Sequence, residues 1–211
     1  MEIHVGLIGA SSFGKNHLRA FQESDYVREI SLAGRSLEKL EPLKAEHSKV
    51  GNLSADFSEF FDNADIDLID IVLPHDMHLP VSVSAMEAGK HVICEKPLEI
   101  TPERIDMILN TAEENQVTLA AVLNRRFHPA MDAFKAAADA GRFGTLTSAS
   151  AYVKWHRDQA YYDSAAWRGT WKLDGGGALM NQSIHTIDAL LYVAGPVASV
   201  QATCSRARRC S

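Results

Sequence analysis

Short apolar runs alternate with stretches of helical periodicity along the first 125 residues of the chain. Ile3 to Ile8 reads as a strand, Asn16 to Glu23 as a helix, Ile30 to Ala33 as a second strand and Leu37 to His47 as a second helix. The rhythm continues through Leu68 to Leu73 (LIDIVL), Pro80 to Ala88, His91 to Cys94, Pro102 to Asn115 and Val117 to Val122. Apolar strands separated by helices at this spacing predict an α/β domain built on a doubly wound parallel sheet. Past residue 125 the alternation stops. An apolar helix from Pro129 to Ala140, a turn at Gly141 and Gly144 and a long strand-like run from Thr145 to His156 follow, so the pattern divides the chain into domains at 1–123 and 124–211.

Composition narrows the class without naming a function. The 211 residues are 46% hydrophobic with a formal net charge of −6, enough to bury one good core and part of another. Met1 to Val5 lacks the basic region and long apolar run of a targeting segment, and no apolar stretch approaches the roughly 20 residues of a membrane span. A cytoplasmic protein is expected, without a membrane partner. Cys94, Cys204 and Cys210 are too scattered for a disulfide framework or a zinc site. The acidic balance argues against nucleic acid as a partner, and Arg206 to Arg209 reads as a solvated terminal run. Of nine histidines only His75 and His78 are closely spaced, with no matching Cys or carboxylate set, so no metal is expected.

Chemistry first shows in a glycine loop. Gly9-Ala10-Ser11-Ser12-Phe13-Gly14 follows the first strand and opens the first helix, the setting of a dinucleotide-binding turn. Gly9 permits the tight turn and Gly14 the close packing of helix on strand, while Ser11 stands where the middle glycine usually lets the backbone approach a pyrophosphate. A small hydroxyl side chain keeps phosphate binding at the helix N-terminus available; the competing reading is a purely structural turn. About 20 residues on, a sheet that holds NAD usually offers a carboxylate to the ribose 2′-hydroxyl. Here the chain reads Leu32-Ala33-Gly34-Arg35-Ser36, with no carboxylate between Glu29 and Glu38. Arg35 and Ser36 suit a 2′-phosphate, which predicts NADP over NAD, with NAD still possible; against this, Arg35 also fits a solvated helix start or an adenine-stacking residue.

Two further constellations stand downstream. Cys94-Glu95-Lys96-Pro97 falls where a buried strand ends, the edge at which open α/β sheets bind ligands, although Glu-Lys-Pro alone reads as a turn with a solvated ion pair. Gly175-Gly176-Gly177 runs into a helix whose core side is expected to be Leu179, Met180, Ile184, Ile187 and Leu191. Asn181, His185 and Asp188 then fall at i, i+4 and i+7 on one helix face. A neutral histidine there can take a proton from an alcohol.

The ordered set of Gly9 to Gly14, Leu73-Pro74-His75-Asp76-Met77-His78, Gly89 to Pro97, Asn124-Arg125-Arg126-Phe127, Trp167-Arg168-Gly169 and GGGALMNQSIHTID resembles the Gfo/Idh/MocA oxidoreductases over essentially the whole chain. The resemblance implies an N-terminal Rossmann domain, then an α+β domain on a mostly antiparallel open sheet, with dehydrogenation of sugars, cyclitols or related polyols. Lys96 matches the family's active-site lysine, usually followed by a cis proline, here Pro97, and His185 its catalytic histidine. Asn181 stands where the family often has aspartate; an amide orients a hydroxyl but cannot relay a proton. The resemblance further places Gly9, Ser11, Ser12, Phe13, Gly14, Arg35, Ser36, Leu73, Pro74, His75, His78, Glu95, Lys96, Asn124, Trp167 and Arg168 at the cofactor, the last two from the second domain.

The implied function is hydride transfer between a nicotinamide cofactor and a secondary alcohol of a small sugar or polyol. A glycoside hydrolase of the same family using tightly held NAD, and a nonenzymatic nucleotide-binding regulator, are the alternatives. Members of the family run well beyond 300 residues and tend to form homo-oligomers through the second sheet. Ser211 falls just after what reads as an early strand of that sheet, Val197 to Cys204, so the sheet is expected to be incomplete here and turnover weak, with nucleotide binding retained.

Overall fold

Six short strands pair side by side in parallel: β1 (Ile3–Ile8), β2 (Val27–Ala33), β3 (Val50–Ser54), β4 (Leu68–Ile71), β5 (His91–Cys94) and β6 (Leu119–Ala121), the inner ones apolar and buried. The computed structural model describes residues 2–10 and 13–203. Spatial order is β3-β2-β1-β4-β5-β6, so the chain moves one way from β1 and then returns past it to go the other. That reversal leaves a crevice between β1 and β4 at the carboxyl edge, the binding edge of a Rossmann sheet.

Strand periodicity of two sends alternate side chains to opposite faces, and helices cover both. Val5, Leu7, Ile30 and Leu32 pack with Leu18 of α1 (Gly14–Glu23) and with Leu40 and Leu43 of α2 (Leu37–Glu46). On the other face Ile8, Ile69, Ile71 and Val92 pack with Phe60 of the short α3 (Glu59–Asp62), Ala85 and Met86 of α4 (His78–Glu87), and Ile108 of α5 (Pro102–Glu114). Thr101 caps α5, accepting from the Arg104 amide, with Pro102 at its first turn.

In the part of the chain that forms the sheet, up to residue 123, β3 and α3 are absent from the sequence reading. Val50-Gly51-Asn52-Leu53-Ser54 carries few strand formers, and its pairing comes from β2 through Ile30↔Val50 and Leu32↔Leu53 at the sheet edge. The reverse holds for Thr145 to His156 and for Val197 onward. Strand-like in sequence, they form no strand among the described residues, where no neighbouring strand lies beside them to complete the ladder. Cys204 to Ser211, with Cys204, Cys210 and the terminal arginines, lie outside the described residues.

The remaining helices are α6 (Pro129–Asp139), α7 (Gln159–Asp163), α8 (Trp171–Asp174) and α9 (Ile184–Ala194), the last preceded by a π-helical turn, Leu179–Ser183. The chain divides into two compact units, one holding the chain to Leu123 together with Trp155–Ile184, the other Asn124–Lys154 and the chain from His185 onward. The expected core stripe after the glycines is not a core. Leu179, Ile187 and Leu191 are exposed, since the π turn breaks the 3.6-residue phase on which the stripe was drawn. No described helix is long and apolar enough to cross a membrane.

Beneath the first loop a polar cluster ties α1 to the sheet. His17 of α1 places Nδ1 2.8 Å from Asp70 Oδ2 on β4 and Nε2 3.1 Å from Glu95 Oε1 at the end of β5. Asp70 is fully buried and Glu95 nearly so. Burial alone would lower the His17 pKa, but the hydrogen bonds to Asp70 and Glu95 outweigh it and push it up to about 9. A histidine whose folded pKa lies above its unfolded value adds stability that is complete below about pH 6.5 and lost as pH rises through about 9. His17→Gln should therefore cost on the order of 3 kcal/mol near pH 6.5, the difference from wild type shrinking towards pH 10, as urea unfolding across that range will measure.

Gly14 fixes the approach of the same helix. A Cβ there would stand 2.2 Å from the Gly9 carbonyl oxygen, so Gly14→Ala must push α1 off β1. The expected cost is about 2–4 kcal/mol, read as a fall of about 5–10 °C in the thermal midpoint. Gly34→Ala, whose Cβ meets Leu40 at an ordinary 3.4 Å, should change the midpoint by less than about 3 °C.

Candidate functional site

Three loops leave the carboxyl edge of the sheet around the crevice. The first, after β1, begins at Gly9, whose φ of +100° and whose Cβ position 2.1 Å from the Val72 carbonyl oxygen admit no side chain. Ser11 and Ser12 lie outside the described residues. Phe13 is exposed, its ring edge-on to His17 at 5.8 Å, and among the described residues no side chain caps the N-terminus of α1. With no acidic residue in its first turn, the positive end of a ten-residue helix is left open to an anion. At the end of β2, Arg35 is exposed and Ser36 stands at the N-cap position of α2 without bonding back to it.

The second loop, Leu73 to His78, is held from below. His78 is fully buried, with Nδ1 2.9 Å from the Pro97 carbonyl and Nε2 3.0 Å from the Leu73 carbonyl. Both ring nitrogens face backbone carbonyls, and His78, expected at the cofactor, ties the loop after β4 to the loop after β5. His75 is buried against Trp167 at 4.8 Å between ring centroids, with Nδ1 3.4 Å from Asp174 Oδ1. Burial first, then the charges of His78 and Lys96, hold its pKa down at about 4 against the pull of Asp174, so the ring is neutral near pH 7.

The third loop carries Lys96. Glu95 is no solvated partner for it, as its Oε1 faces His17 and its Oε2 accepts the Lys96 amide at 2.9 Å. A buried carboxylate with both oxygens engaged, Glu95, expected at the cofactor, supports the loop from beneath. Lys96 is half-buried and its peptide bond to Pro97 is cis. Its Nζ donates to the Asn181 carbonyl at 3.1 Å and to Asn181 Oδ1 at 3.4 Å. Burial lowers the Lys96 pKa, while Glu95 and Asp174 pull it back and Arg168 lowers it further. Glu99, also fully buried, accepts from the Leu79 and Ile100 amides and from Arg104, pinning the chain just beyond.

Residues 155–184 belong to the same unit as these loops, so Trp167 and Arg168, expected from the second domain, fall in one compact unit with the sheet. The Arg168 guanidinium lies over the rings of Tyr161 and Trp167 at 4.5 and 4.6 Å and donates to the Tyr161 hydroxyl at 2.8 Å. Gln182 donates to the same hydroxyl at 2.9 Å. Asp174, buried, accepts from Asn181 Nδ2 at 3.1 Å and from the Gly169 amide at 2.8 Å. Tyr161, Asp174, His17 and Asp70 all escape the sequence reading. Asp174 had one available signal, its position immediately before three glycines.

The second unit holds the rest. Asn124 is exposed in the 3₁₀ turn Asn124–Phe127, and His185 is half-buried in the first turn of α9. Arg126 binds both oxygens of Asp188, at 2.9 Å to Oδ2 through Nε. Cys94 is buried, which pushes its thiol pKa up and leaves it inert. No cluster of His, Cys, Asp or Glu among the described residues could hold a metal ion.

Comparison with known proteins places these features in one lineage. Residues 3–122 match the model of the oxidoreductase family with an NAD-binding Rossmann fold, and residues 131–210 match the Gfo/Idh/MocA C-terminal domain. Levoglucosan dehydrogenase of Pseudarthrobacter phenanthrenivorans is 28% identical over 96% of this chain and 54% of its own length. Inositol 2-dehydrogenase of Rhizobium meliloti is 28% identical over 96% of the chain and 58% of its own. Among solved structures, the WlbA dehydrogenase of Bordetella pertussis, in complex with NADH and UDP-GlcNAcA, superposes with a TM-score of 0.84 at 31% identity, over 92% of this chain and 56% of that one. The chain spans little more than half the length of these relatives. With matches across both halves, a 3-2-1-4-5-6 sheet and a lysine at the end of β5, the chain belongs to the Gfo/Idh/MocA oxidoreductases.

Proposed function

We propose that the chain serves an NAD(P)-dependent dehydrogenase that moves a hydride between the nicotinamide and a secondary alcohol of a sugar, cyclitol or related polyol. Residues 1–123 bind the nucleotide and residues 124–211 open the substrate domain. The observation that carries this reading is Lys96, held half-buried at the carboxyl end of β5 with a lowered pKa, one strand from the crevice beside an uncapped helix N-terminus. The levoglucosan, inositol and UDP-sugar named for the relatives support this substrate class.

The residues present fit a dinucleotide. Gly9, Gly14 and the first turn of α1 take the pyrophosphate, with Ser11, Ser12 and Phe13 along the loop, while Leu73, Pro74 and His75 border the crevice. Trp167, Arg168 and Asn124 are the further proposed contacts. Arg35 and Ser36, with no carboxylate at the end of β2, favour a 2′-phosphate, so NADP is the preferred cofactor. The nicotinamide, when bound, supplies the hydride acceptor or donor. Lys96 then hydrogen-bonds the reacting oxygen and stabilises negative charge there, and His185, a ring that can be neutral near pH 7, takes the hydroxyl proton. Asn181 orients a substrate hydroxyl.

Fluorescence titration should give a dissociation constant about tenfold lower for NADPH than for NADH, a preference lost in Arg35→Ala; one charge-assisted contact is worth about that factor. Equal constants for the wild type would refute the NADP assignment, and no binding of either nucleotide would refute the whole reading. A panel of sugars, inositols and nucleotide sugars, followed by absorbance of the reduced cofactor, tests the chemistry. Lys96→Ala and His185→Ala should each lower whatever turnover the wild type shows by about 10²-fold or more with nucleotide binding retained.

A further inference from the structure

Asn181 is an amide between an amine and a carboxylate. Lys96 Nζ can only donate and reaches Asn181 Oδ1 at 3.4 Å; Asp174 can only accept and takes Asn181 Nδ2 at 3.1 Å. These two partners leave the amide one orientation. Asp174 is otherwise committed: it is 2% exposed, its Oδ2 accepts the Gly169 amide at 2.8 Å, and its Oδ1 faces His75 Nδ1 at 3.4 Å. A carboxylate this buried is expensive unless its charge is answered, and the bonds from Gly169 and Asn181 are both neutral. Other charges face Lys96 from the elements around it: Glu95, its neighbour in the chain, and Arg168 from the segment after α7. Glu95 is the stronger charge on Lys96, but its oxygens are taken by His17 and by the Lys96 backbone amide, which leaves Asp174 the carboxylate joined to the Lys96 amine through side-chain bonds.

We propose that Asp174 is a positioning residue for Lys96, acting through the Asn181 amide to hold the amine and supply its counter-charge. Asp174 touches no substrate in this arrangement. It sets where Nζ points and how much of the lysine is charged, and through Gly169 and His75 it fixes the chain next to Trp167 and Arg168 in the same step. The proposal deepens the reading of Lys96 given above and rests on it for its consequence in catalysis, but its test needs neither cofactor nor substrate.

The test is the pH profile of Lys96 modification by trinitrobenzenesulfonate, read by peptide mass mapping of the intact chain, in wild type, Asp174→Asn and the exchange variant Asp174→Asn/Asn181→Asp. Removing the charge at 174 should move the Lys96 profile down by about one pH unit, making modification about tenfold faster on the acid side. The exchange variant carries its carboxylate within direct reach of Nζ and should move the profile back up to that of wild type or beyond it. An Asp174→Asn protein that melts like wild type with an unmoved profile would overturn the proposal. Should Asp174→Asn not fold, the exchange variant decides. A profile at or above that of wild type upholds the link, whereas one that stays about a unit low means that a carboxylate in this pair does not govern Lys96. NADPH titration of the same proteins separates the two readings, since loss of nucleotide binding by wild type would fault the dehydrogenase assignment and leave the labelling result standing.

Discussion

A charged imidazole held between two buried carboxylates organises the carboxyl edge of the first unit. His17 projects from the helix that follows the glycine loop, Asp70 from the middle of the sheet and Glu95 from the end of β5, and the 2.8 and 3.1 Å bonds join all three. Each carboxylate alone would be a costly guest in an apolar α/β core. With the imidazole shared between them, the helix N-terminus that faces the crevice and the loop that presents Lys96 become one mechanical piece. The remaining buried polar groups repeat the tactic, as Glu99 gathers Leu79, Ile100 and Arg104 while His78 bridges the carbonyls of Leu73 and Pro97.

This arrangement explains why so few side chains at the edge are free to meet a ligand. Glu95, His78 and Asp174 are buried and fully engaged, and the exposed or half-exposed groups are Phe13, Arg35, Lys96, Trp167 and Arg168. A rigid polar layer beneath a small set of presented groups is what a site requires when geometry must hold to a fraction of an ångström. His75 and Lys96 illustrate the electrostatic side of that layer. Both are partly desolvated, both have lowered pKa values, and the same buried carboxylate, Asp174, pulls each of them back up.

Most of the first unit was legible in the amino-acid sequence. Apolar runs of four to six residues separated by helical periodicity predicted the parallel sheet, and β1, β2, β4, β5, β6 and the four longer helices through α5 stand where the pattern put them to within a few residues. The failures have a common cause. β3 is a strand because β2 pairs with it, and Thr145 to His156 is not one because nothing among the described residues does, so in both places long-range pairing outweighed local preference. The apolar stripe after the triple glycine failed when a π turn shifted its phase.

The sequence by itself determined which residues were chemically able to act: a lysine at a strand end, a histidine on a helix, an arginine with no competing carboxylate after β2. Tertiary structure decided their partners. Nothing in Glu95-Lys96 says that the glutamate will turn to a histidine 78 positions away and leave the lysine to an asparagine 85 positions on. Nor does local spacing say that Asp188 will be bound by Arg126 while Asp174 takes the amide of Asn181. Residue type and periodicity are properties of short stretches, whereas the pairing of buried charges is settled only when the whole core closes and each one must find its partner or not be buried at all.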